Sequence, residues 1–165
     1  MFYIELDQRS DAWFSWREKG ITATEAVAIS GHSPYMTPWR VWAEKTGRVA
    51  PADLSKNPNV QYGISHEDEV RSLFMQKHVD VVMPTCGEFE DNRIFRASFD
   101  GLNSSGEPVE IKCPSDSTLE DVLARREKSD AYQLYQWQVQ WQIMVAGARR
   151  GWLVFYLGND KIMDF

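Results

Sequence analysis

The chain has 165 residues, 43% of them hydrophobic and 13% aromatic, which is enough for one sizeable core and is typical of a single globular domain. Its formal net charge of −6 disfavours a protein that coats nucleic acid by charge alone, so we expect any phosphate-bearing partner to be met locally or through metal ions. It has no apolar run of about eighteen residues, and its N-terminus is acidic where a signal peptide would be basic, so we expect a soluble, cytoplasmic protein without a membrane span.

The first third of the chain is predicted to be helical. Three short segments each begin with a capping residue and end at a glycine, as helices commonly do: residues 9–20, 22–31 and 37–47. The third has Thr37 as its cap and Pro38 at the first helical position. A loop is predicted at residues 51–58, and the helical spacing of apolar residues over 60–78 predicts a long helix after it.

Four tryptophans lie in the three short helical segments. They are Trp13, Trp16, Trp39 and Trp42. We expect them in the core rather than on the surface as stacking platforms for bases, because large aromatic side chains bury much apolar area.

The pattern changes to a period of two in the middle of the chain. Residues 93–101 and 109–113 read as two strands joined by the polar turn "NSSGEP", which predicts a hairpin. In the second strand the apolar side chains, including Ile111, share one face, and Glu110 and Lys112 share the other.

The last third predicts two helices and a buried strand. Residues 117–128 and 131–147 have helical character, and 151–157, "GWLVFYL", is a continuous apolar run typical of a strand buried on both faces. The fold class is therefore mixed α/β or α+β, with a central mixed β-sheet flanked by helices. Cys86 and Cys113 are too few for a disulfide framework and lack the spacing of a zinc site.

Two carboxylates and an ammonium group are predicted to converge on the hairpin. Glu110 and Lys112 stand roughly 6.5–7 Å apart on one face. Asp100 ends the preceding strand, and Gly101 after it lets the backbone bend so that the carboxylate leans toward Glu110. Hard oxygen ligands suit Mg²⁺ or Mn²⁺, which stabilises phosphoryl charge and lowers the pKa of a bound water. The pattern indicates a hydrolytic site, but an exposed charge pair on an edge strand gives the same Glu and Lys spacing.

Five segments distinguish between these interpretations, and they form four blocks because "FDG" and "VEIKCP" belong to one hairpin. "FDG", "VEIKCP" and "YQWQVQWQIMV" resemble the PD-(D/E)xK nuclease core as it occurs in the YqaJ and bacteriophage lambda exonuclease family, and "WFSWREKGITATE" and "YGISHEDEVRSLF" resemble segments that precede that core. The resemblance covers most of the chain. It implies a restriction-endonuclease-like fold in one domain over residues 1–165, with a helical N-terminal part at about 1–57 and the nuclease core at about 58–165.

The resemblance also implies the metal ligands. Asp100 and Glu110 match the family's metal-binding carboxylates, and the main-chain carbonyl of Ile111 would be a further ligand. Either Glu67 or His66 would approach the metal, but not both, because neighbours on a helix are about 100° apart. The alternative for Glu67 is an exposed pair with Arg71, four residues on.

Further residues match catalytic and DNA-binding positions of the family. Lys112 matches the catalytic lysine, and Gln138 matches a glutamine that orients water or the substrate phosphate. Arg17 and Thr24 match contacts to a terminal 5′-phosphate, for which a guanidinium fork and a helix start are suited. Two weaker candidates for DNA contact are Tyr135 and Gln140.

The activity implied by the resemblance is a Mg²⁺-dependent 5′→3′ exonuclease of phage or prophage recombination. It would use two Mg²⁺ ions, with Mn²⁺ as a substitute, act on double-stranded DNA ends, release 5′-mononucleotides and leave a 3′ single strand. Its partner would be a single-strand annealing protein and its assembly a trimer. The sequence stops soon after the last predicted strand, where the lambda enzyme continues, which leaves the trimer and its processivity open. The alternatives are a distributive or endonucleolytic relative in defence or repair, and a non-catalytic module that binds DNA ends.

Overall fold

One six-stranded mixed sheet runs through the computed structural model, which describes residues 1–165, and helices cover both of its faces. The strands are β1 (Phe2–Ile4), β2 (Val82–Glu88), β3 (Arg96–Asn103), β4 (Pro108–Lys112), β5 (Trp152–Gly158) and β6 (Lys161–Asp164). The α-helices are α1 (Asp11–Glu18), α2 (Ala23–Ile29), α3 (Pro38–Lys45), α4 (Pro58–His78), α5 (Asp116–Arg125) and α6 (Asp130–Ala146). A short 3₁₀ turn, Arg126–Lys128, joins the last two helices.

The strands follow one another across the sheet in chain order, from β1 to β6. All neighbouring pairs are antiparallel except β4 and β5, which run parallel. A parallel pair needs a long crossover connection, and α5 and α6 provide it. The predicted mixed sheet, the β3–β4 hairpin and the buried strand near the end are confirmed.

Three of the strands were not predicted from the sequence. β1 has only three residues, so the prediction of a purely helical first third was wrong: Phe2 pairs with Glu88 at the sheet edge. β2 contains Pro84 at a register shift, which breaks the alternating pattern that identifies strands. β6 has four residues and follows a tight turn in which Asn159 and Asp160 both have positive φ, as Asn and Asp in hairpin turns commonly do.

The N-terminal helices begin where their capping residues predict. The Ser10 hydroxyl accepts a hydrogen bond from the Trp13 N–H, and that of Thr37 accepts one from the Arg40 N–H. Thr22 forms a capping box in which its main-chain N–H donates to the carboxylate of Glu25. These contacts fix the starts of the helices that border the site.

The core lies on both sides of β4 and β5. On one face Val109 and Ile111 pack with α4, and on the other Leu153 and Phe155 pack with Val139 of α6. Because strand side chains alternate, the polar residues of β4 are turned toward α6. None of the helices is both long and apolar enough to span a bilayer.

The prediction that the helical tryptophans are core residues was wrong for α3. Trp39 is 63% exposed and Trp42 48% exposed, because α3 packs through the smaller Val41 and Ala43. Trp16 is buried as predicted, and its indole N–H donates to Glu88 at 2.9 Å.

Candidate active site

A cavity of about 250 Å³ opens where β3 and β4 separate, and α1, α2, α4 and α6 close it. It brings together most of the residues that the sequence analysis selected: Arg17, Thr24, Glu67, Asp100, Glu110, Ile111, Lys112 and Gln138. His66, Tyr135 and Gln140 are not part of its wall.

The separation of the two strands is built around the Asp100 carboxylate. The β3–β4 ladder comprises the pairs Gly101↔Val109 and Leu102↔Pro108 and stops there. Beyond it the Ile111 N–H donates to Asp100 Oδ2 at 2.8 Å, so a side chain replaces the neighbouring strand as acceptor. The Asp100 side chain thus lines the cavity, although β3 itself continues as a strand to Asn103.

Two details of the expected hairpin geometry were wrong. Asp100 lies inside β3 rather than at its end. Gly101 serves close packing rather than a bend, because a Cβ there would stand 2.1 Å from Cγ1 of the fully buried Val82. The carboxylate is placed by strand divergence instead, and the main-chain carbonyl of Asp100 accepts a hydrogen bond from Arg71 Nε at 2.8 Å.

The carboxylates of Asp100 and Glu110 interact unfavourably in the cavity. Enclosure by protein raises the pKa of Asp100 well above its ordinary value, and the charge of Glu110 raises it further. Glu110 itself is only 4% exposed. A pair of enclosed carboxylates of this kind is stabilised by a cation held between them or beside them.

Lys112 supplies one positive charge to this pair. Its Nζ lies 2.5 Å from Glu110 Oε1 and 4.6 Å from the ring centre of Tyr135. Burial works to lower the pKa of Lys112, but the charges of Glu110 and Asp100 outweigh it and raise the pKa above its ordinary value. In this metal-free arrangement the Lys112 ammonium group is therefore a hydrogen-bond donor to Glu110.

Gln142 is a residue of the cavity that the sequence analysis missed. Its side chain is 1% exposed, and its Nε2 donates to Glu110 Oε2 at 2.5 Å. Both oxygens of Glu110 are thus bound, one by Lys112 and the other by Gln142. The available signal was its spacing, since Gln142 lies four residues after Gln138 and on the same face of α6.

Gln138 and Gln140 lie on different sides of α6. Gln138 Nε2 donates to the Thr24 hydroxyl at 3.0 Å, which ties α6 to the start of α2 beside the cavity. Gln140 is exposed and borders a separate cavity near Arg150, so the structure does not bring it to the candidate site. Two residues along a helix correspond to a rotation of about 200°, which accounts for the difference.

Arg17 reaches the cavity from α1 with most of its donors uncommitted. Its guanidinium lies 4.5 Å from the ring centre of Trp13. Its one side-chain hydrogen bond is long, 3.4 Å to the hydroxyl of Thr22. Burial lowers the pKa of Arg17, and the charge of Glu25 opposes this, so the group stays charged. A partly enclosed guanidinium with free N–H groups is well suited to receive an anion.

The helix α4 turns Glu67, and not His66, into the cavity. The Glu67 carboxylate is held by Arg71 at 2.7 Å and by Arg9, a cavity residue in the loop before α1 that the sequence analysis also missed. Glu67 and Arg71 therefore form the ion pair given above as the alternative, and this pair lies at the cavity wall. His66 lies outside, bonded to the carbonyl of Tyr62 at 2.8 Å.

The donor set fits a hard divalent cation. No three acidic, histidine or cysteine side chains converge closely enough to form a complete metal site, so the protein offers the pair Asp100 and Glu110. Mg²⁺ commonly binds one or two carboxylates and keeps several waters, which matches such a pair. The side-chain oxygens of Gln138 and Gln142 are also buried without a partner, which leaves unsatisfied acceptors beside the carboxylates.

Known proteins resemble this chain in sequence and in fold. The uncharacterized protein YqaJ of Bacillus subtilis (strain 168) is 25% identical over 161 residues, which cover 93% of this chain and 48% of that protein. The chain thus spans about half the length of this curated relative.

The structural likeness is to an alkaline exonuclease, LHK-Exo from Laribacter hongkongensis. Its crystal structure has a TM-score of 0.75 at 19% identity and covers 94% of this chain and 80% of that one. The structure of LHK-Exo in complex with dAMP gives a TM-score of 0.74 at 20% identity over the same shares of the two chains. The match confirms the restriction-endonuclease-like core that the resemblance implied.

Residues 12–149 also match the family model described as the YqaJ-like viral recombinase domain. This range contains α2 to α6, β2 to β4, all of α1 after its first residue, and the whole candidate site except Arg9 and Gln8. The chain belongs to the YqaJ-like viral recombinase domain family.

Proposed function

We propose that this domain is a Mg²⁺-dependent deoxyribonuclease that degrades one strand of duplex DNA from its 5′ end. It would release 5′-mononucleotides and leave a 3′ single strand. The observation that carries the proposal is the single cavity that holds Asp100, Glu110 and Lys112 together with Arg17. The family and the fold of an alkaline exonuclease support a nuclease. The side chains that line the cavity support metal-dependent hydrolysis of a phosphodiester.

Asp100 and Glu110 would hold the ion, with the carbonyl of Ile111 as a further ligand. The ion, when bound, supplies Lewis-acid stabilisation of the phosphate and a water of lowered pKa. The Asp100 side chain is fixed by the Ile111 N–H, and that of Glu110 by Gln142, so both ligands are positioned before any ion arrives. A second ion would need Glu67, which in this structure is bound by Arg71 and Arg9.

Lys112 would stabilise the negative charge that develops on the scissile phosphate. Water attacks the phosphorus, the bond from phosphorus to the 3′ oxygen breaks, and that oxygen leaves with a proton. As an ammonium group, Lys112 would donate a hydrogen bond to a phosphate oxygen or to the attacking water. Its position over Tyr135 keeps the ammonium group in the cavity.

Arg17 would set the end from which the strand is degraded. A terminal 5′-phosphate is a dianion, and Arg17 offers it a charged fork of donors, with Thr24 alongside. Cleavage between phosphorus and the 3′ oxygen leaves a new 5′-phosphate on the remaining strand. Each product end is therefore a substrate for the same arginine.

The product class agrees with one detail of the relatives. LHK-Exo has been crystallised with dAMP, a deoxynucleoside monophosphate. By analogy we propose that the cavity of this chain accommodates such a product. The second metal ion, the trimer and the annealing partner stay predictions from the family resemblance.

The proposal is tested by digestion of a linear duplex labelled at either the 5′ or the 3′ terminus. Wild-type protein should release a labelled mononucleotide from the 5′ terminus with Mg²⁺ or Mn²⁺ and nothing with EDTA. The matched control is Glu110→Gln, which removes one ligand charge and should be inactive. Binding of DNA ends without cleavage would favour the non-catalytic module, and nicking of closed circular DNA would favour an endonuclease; either result would overturn the proposal.

A further inference from the structure

A second concavity, of about 600 Å³, lies beside the candidate active site. Four aromatic rings line it, and we call it the aromatic groove: His32, Tyr35, Tyr135 and Trp137. The residues come from the loop after α2 and from α6, and His32, Tyr35 and Trp137 are exposed. The proposed cleavage reaction does not use this groove.

Two of the rings already form a stack. The His32 and Trp137 ring centres are 4.1 Å apart and their planes differ by 8°. Trp137 is 38% exposed, and Tyr35 at the edge of the groove is 84% exposed. Several exposed aromatic rings grouped in one concave surface are typical of a binding site. Exposed aromatic residues that occur singly on a protein surface are common and carry no such meaning.

The aromatic groove lies next to the catalytic cavity. Tyr135 lines the groove, and the catalytic Lys112 sits over its ring. The helix α2 also links the two, because Thr24 at its start lines the cavity and His32 just after its end lines the groove. The seven residues of α2 span roughly 10 Å, so a strand held in the cavity reaches the groove within a few nucleotides.

The walls of the groove select for rings rather than for phosphates. No lysine or arginine lines it, and its one acidic wall residue, Asp130, is paired with Arg125 at 3.1 Å. Thr118 provides a hydroxyl group for hydrogen bonds to base edges. In a duplex the base faces are already stacked, so only unpaired nucleotides present them to aromatic side chains.

We infer that the aromatic groove binds the unpaired nucleobases of DNA next to the scissile phosphate. The bases stack on the pair formed by Trp137 and His32 and on Tyr35, while the phosphates stay outside the groove. The inference rests on the proposed function for the identity of the ligand, and it adds a binding site for single-stranded DNA that is separate from the catalytic residues.

The test is the affinity for a fluorescein-labelled oligothymidylate of about ten nucleotides, measured by fluorescence anisotropy in EDTA. Trp137→Ala should weaken binding about tenfold, within the range expected for loss of one base–aromatic stack. Tyr35→Ala should also weaken binding, and truncation of so exposed a side chain leaves the fold intact. The matched control is Trp39→Ala, a more exposed tryptophan outside the groove, which should bind within twofold of wild type.

The salt dependence separates stacking from charge. Trp137→Ala should lower the affinity without changing the slope of log K against log salt, because no phosphate contact is lost. Wild-type affinity in both Trp137→Ala and Tyr35→Ala, or an equal loss in Trp39→Ala, would overturn the inference.

The outcome is distinguishable from that of the proposed function. Groove-dependent binding by a wild-type protein that releases no nucleotide from duplex DNA would refute the nuclease and leave the groove. Normal digestion of duplex DNA, with unchanged oligothymidylate binding in both groove variants, would refute the groove and leave the nuclease.

Discussion

At the scale of single residues, the site depends on how Glu110 and Asp100 are held. Glu110 is bonded through both oxygens, to Lys112 and to Gln142, and Asp100 is bonded to the Ile111 N–H. The pair is costly to enclose without a cation, as the raised pKa of Asp100 indicates. The negative charges that the proposed metal binding requires therefore lower the stability of the metal-free protein.

Asp100→Asn should abolish cleavage and raise the stability of the metal-free protein. Asparagine keeps an acceptor for the Ile111 N–H and removes a charge that enclosure and Glu110 disfavour. A gain of about 1 kcal/mol corresponds to a rise of roughly 2–4 °C in Tm for a domain of this size. Thermal unfolding in EDTA and digestion with Mg²⁺ measure the two effects.

The control for this variant is Asp91→Asn, at an exposed position before β3, which should change neither quantity. Normal cleavage by Asp100→Asn would remove this residue from the proposed ligand set. A large fall in its Tm would show instead that the carboxylate stabilises the fold.

Gln142→Leu should reduce cleavage about 10- to 100-fold, the usual cost of removing a group that orients a metal ligand. Leucine fills a similar volume but leaves Glu110 Oε2 without its donor. The concentration of Mn²⁺ needed for half-saturation, measured by calorimetry, should rise in parallel. Gln136→Leu is the control on the same helix, since Gln136 bonds only to Gln133. Unchanged Mn²⁺ affinity together with a lowered Tm would make Gln142 merely structural.

Strand alternation predicted that Glu110 and Lys112 share one face, because residues two apart on a strand do so whatever surrounds them. The family resemblance then assigned this pair and Asp100 to the site. Gln142 was missed because five glutamines occupy α6 and its sequence alone does not show which of them turns toward β4. Arg9 was missed because it lies in a loop, with φ of 69°, where no periodicity applies.

At the scale of elements, the contacts between α4 and the sheet hold one wall of the cavity. Arg71 of α4 bonds to the carbonyl of Asp100, and the Tyr156 hydroxyl of β5 donates to Glu69 of α4 at 2.5 Å. The hairpin and the long helices were predictable because each has a strong period. β1, β2 and β6 were not, because their short length or an internal proline hides the alternation that pairing in the sheet imposes.

Tyr156→Phe should destabilise the domain near neutral pH by about 1.5–3 kcal/mol, the usual worth of a hydrogen bond to a charged group. That bond to Glu69 and burial raise the pKa of Tyr156 to about 12, from an ordinary value of 10.0. The unfolded chain therefore loses this proton first as the pH rises, and wild type loses stability between about pH 10 and 12. The difference in the free energy of unfolding between wild type and Tyr156→Phe, measured with urea, should therefore become smaller over that pH range.

Tyr3→Phe is the matched control for this pH dependence. Tyr3 is 71% exposed, and its hydroxyl makes no hydrogen bond. Its gap from wild type should stay constant from pH 8 to alkaline pH. A gap for Tyr156→Phe that is equally constant would mean that the hydroxyl does not act through Glu69.

At the scale of the whole molecule, an acidic chain must bind a polyanion through local charge. The net charge is −6, but Arg9, Arg17 and Lys112 all line one cavity. Only a small number of phosphates meet protein cations there, so we expect DNA binding to depend on the terminal phosphate and on divalent metal more than on a broad basic surface.

The central claim is that this cavity hydrolyses DNA from a phosphorylated 5′ end, and one comparison of rates tests it most directly. Mononucleotide release is measured with Mg²⁺ on the same duplex bearing a 5′-phosphate or a 5′-hydroxyl. Wild type should prefer the phosphorylated end roughly ten- to a hundredfold, since a charge-assisted contact is worth about 1.5–3 kcal/mol. Arg17→Ala should lose most of that preference.

Arg48→Ala is the matched control, because Arg48 also lies over a tryptophan ring, 4.8 Å from the centre of Trp42, but outside the cavity. It should keep the wild-type preference. Equal rates of release from both ends by wild-type protein, or a preference that survives in Arg17→Ala, would contradict the account.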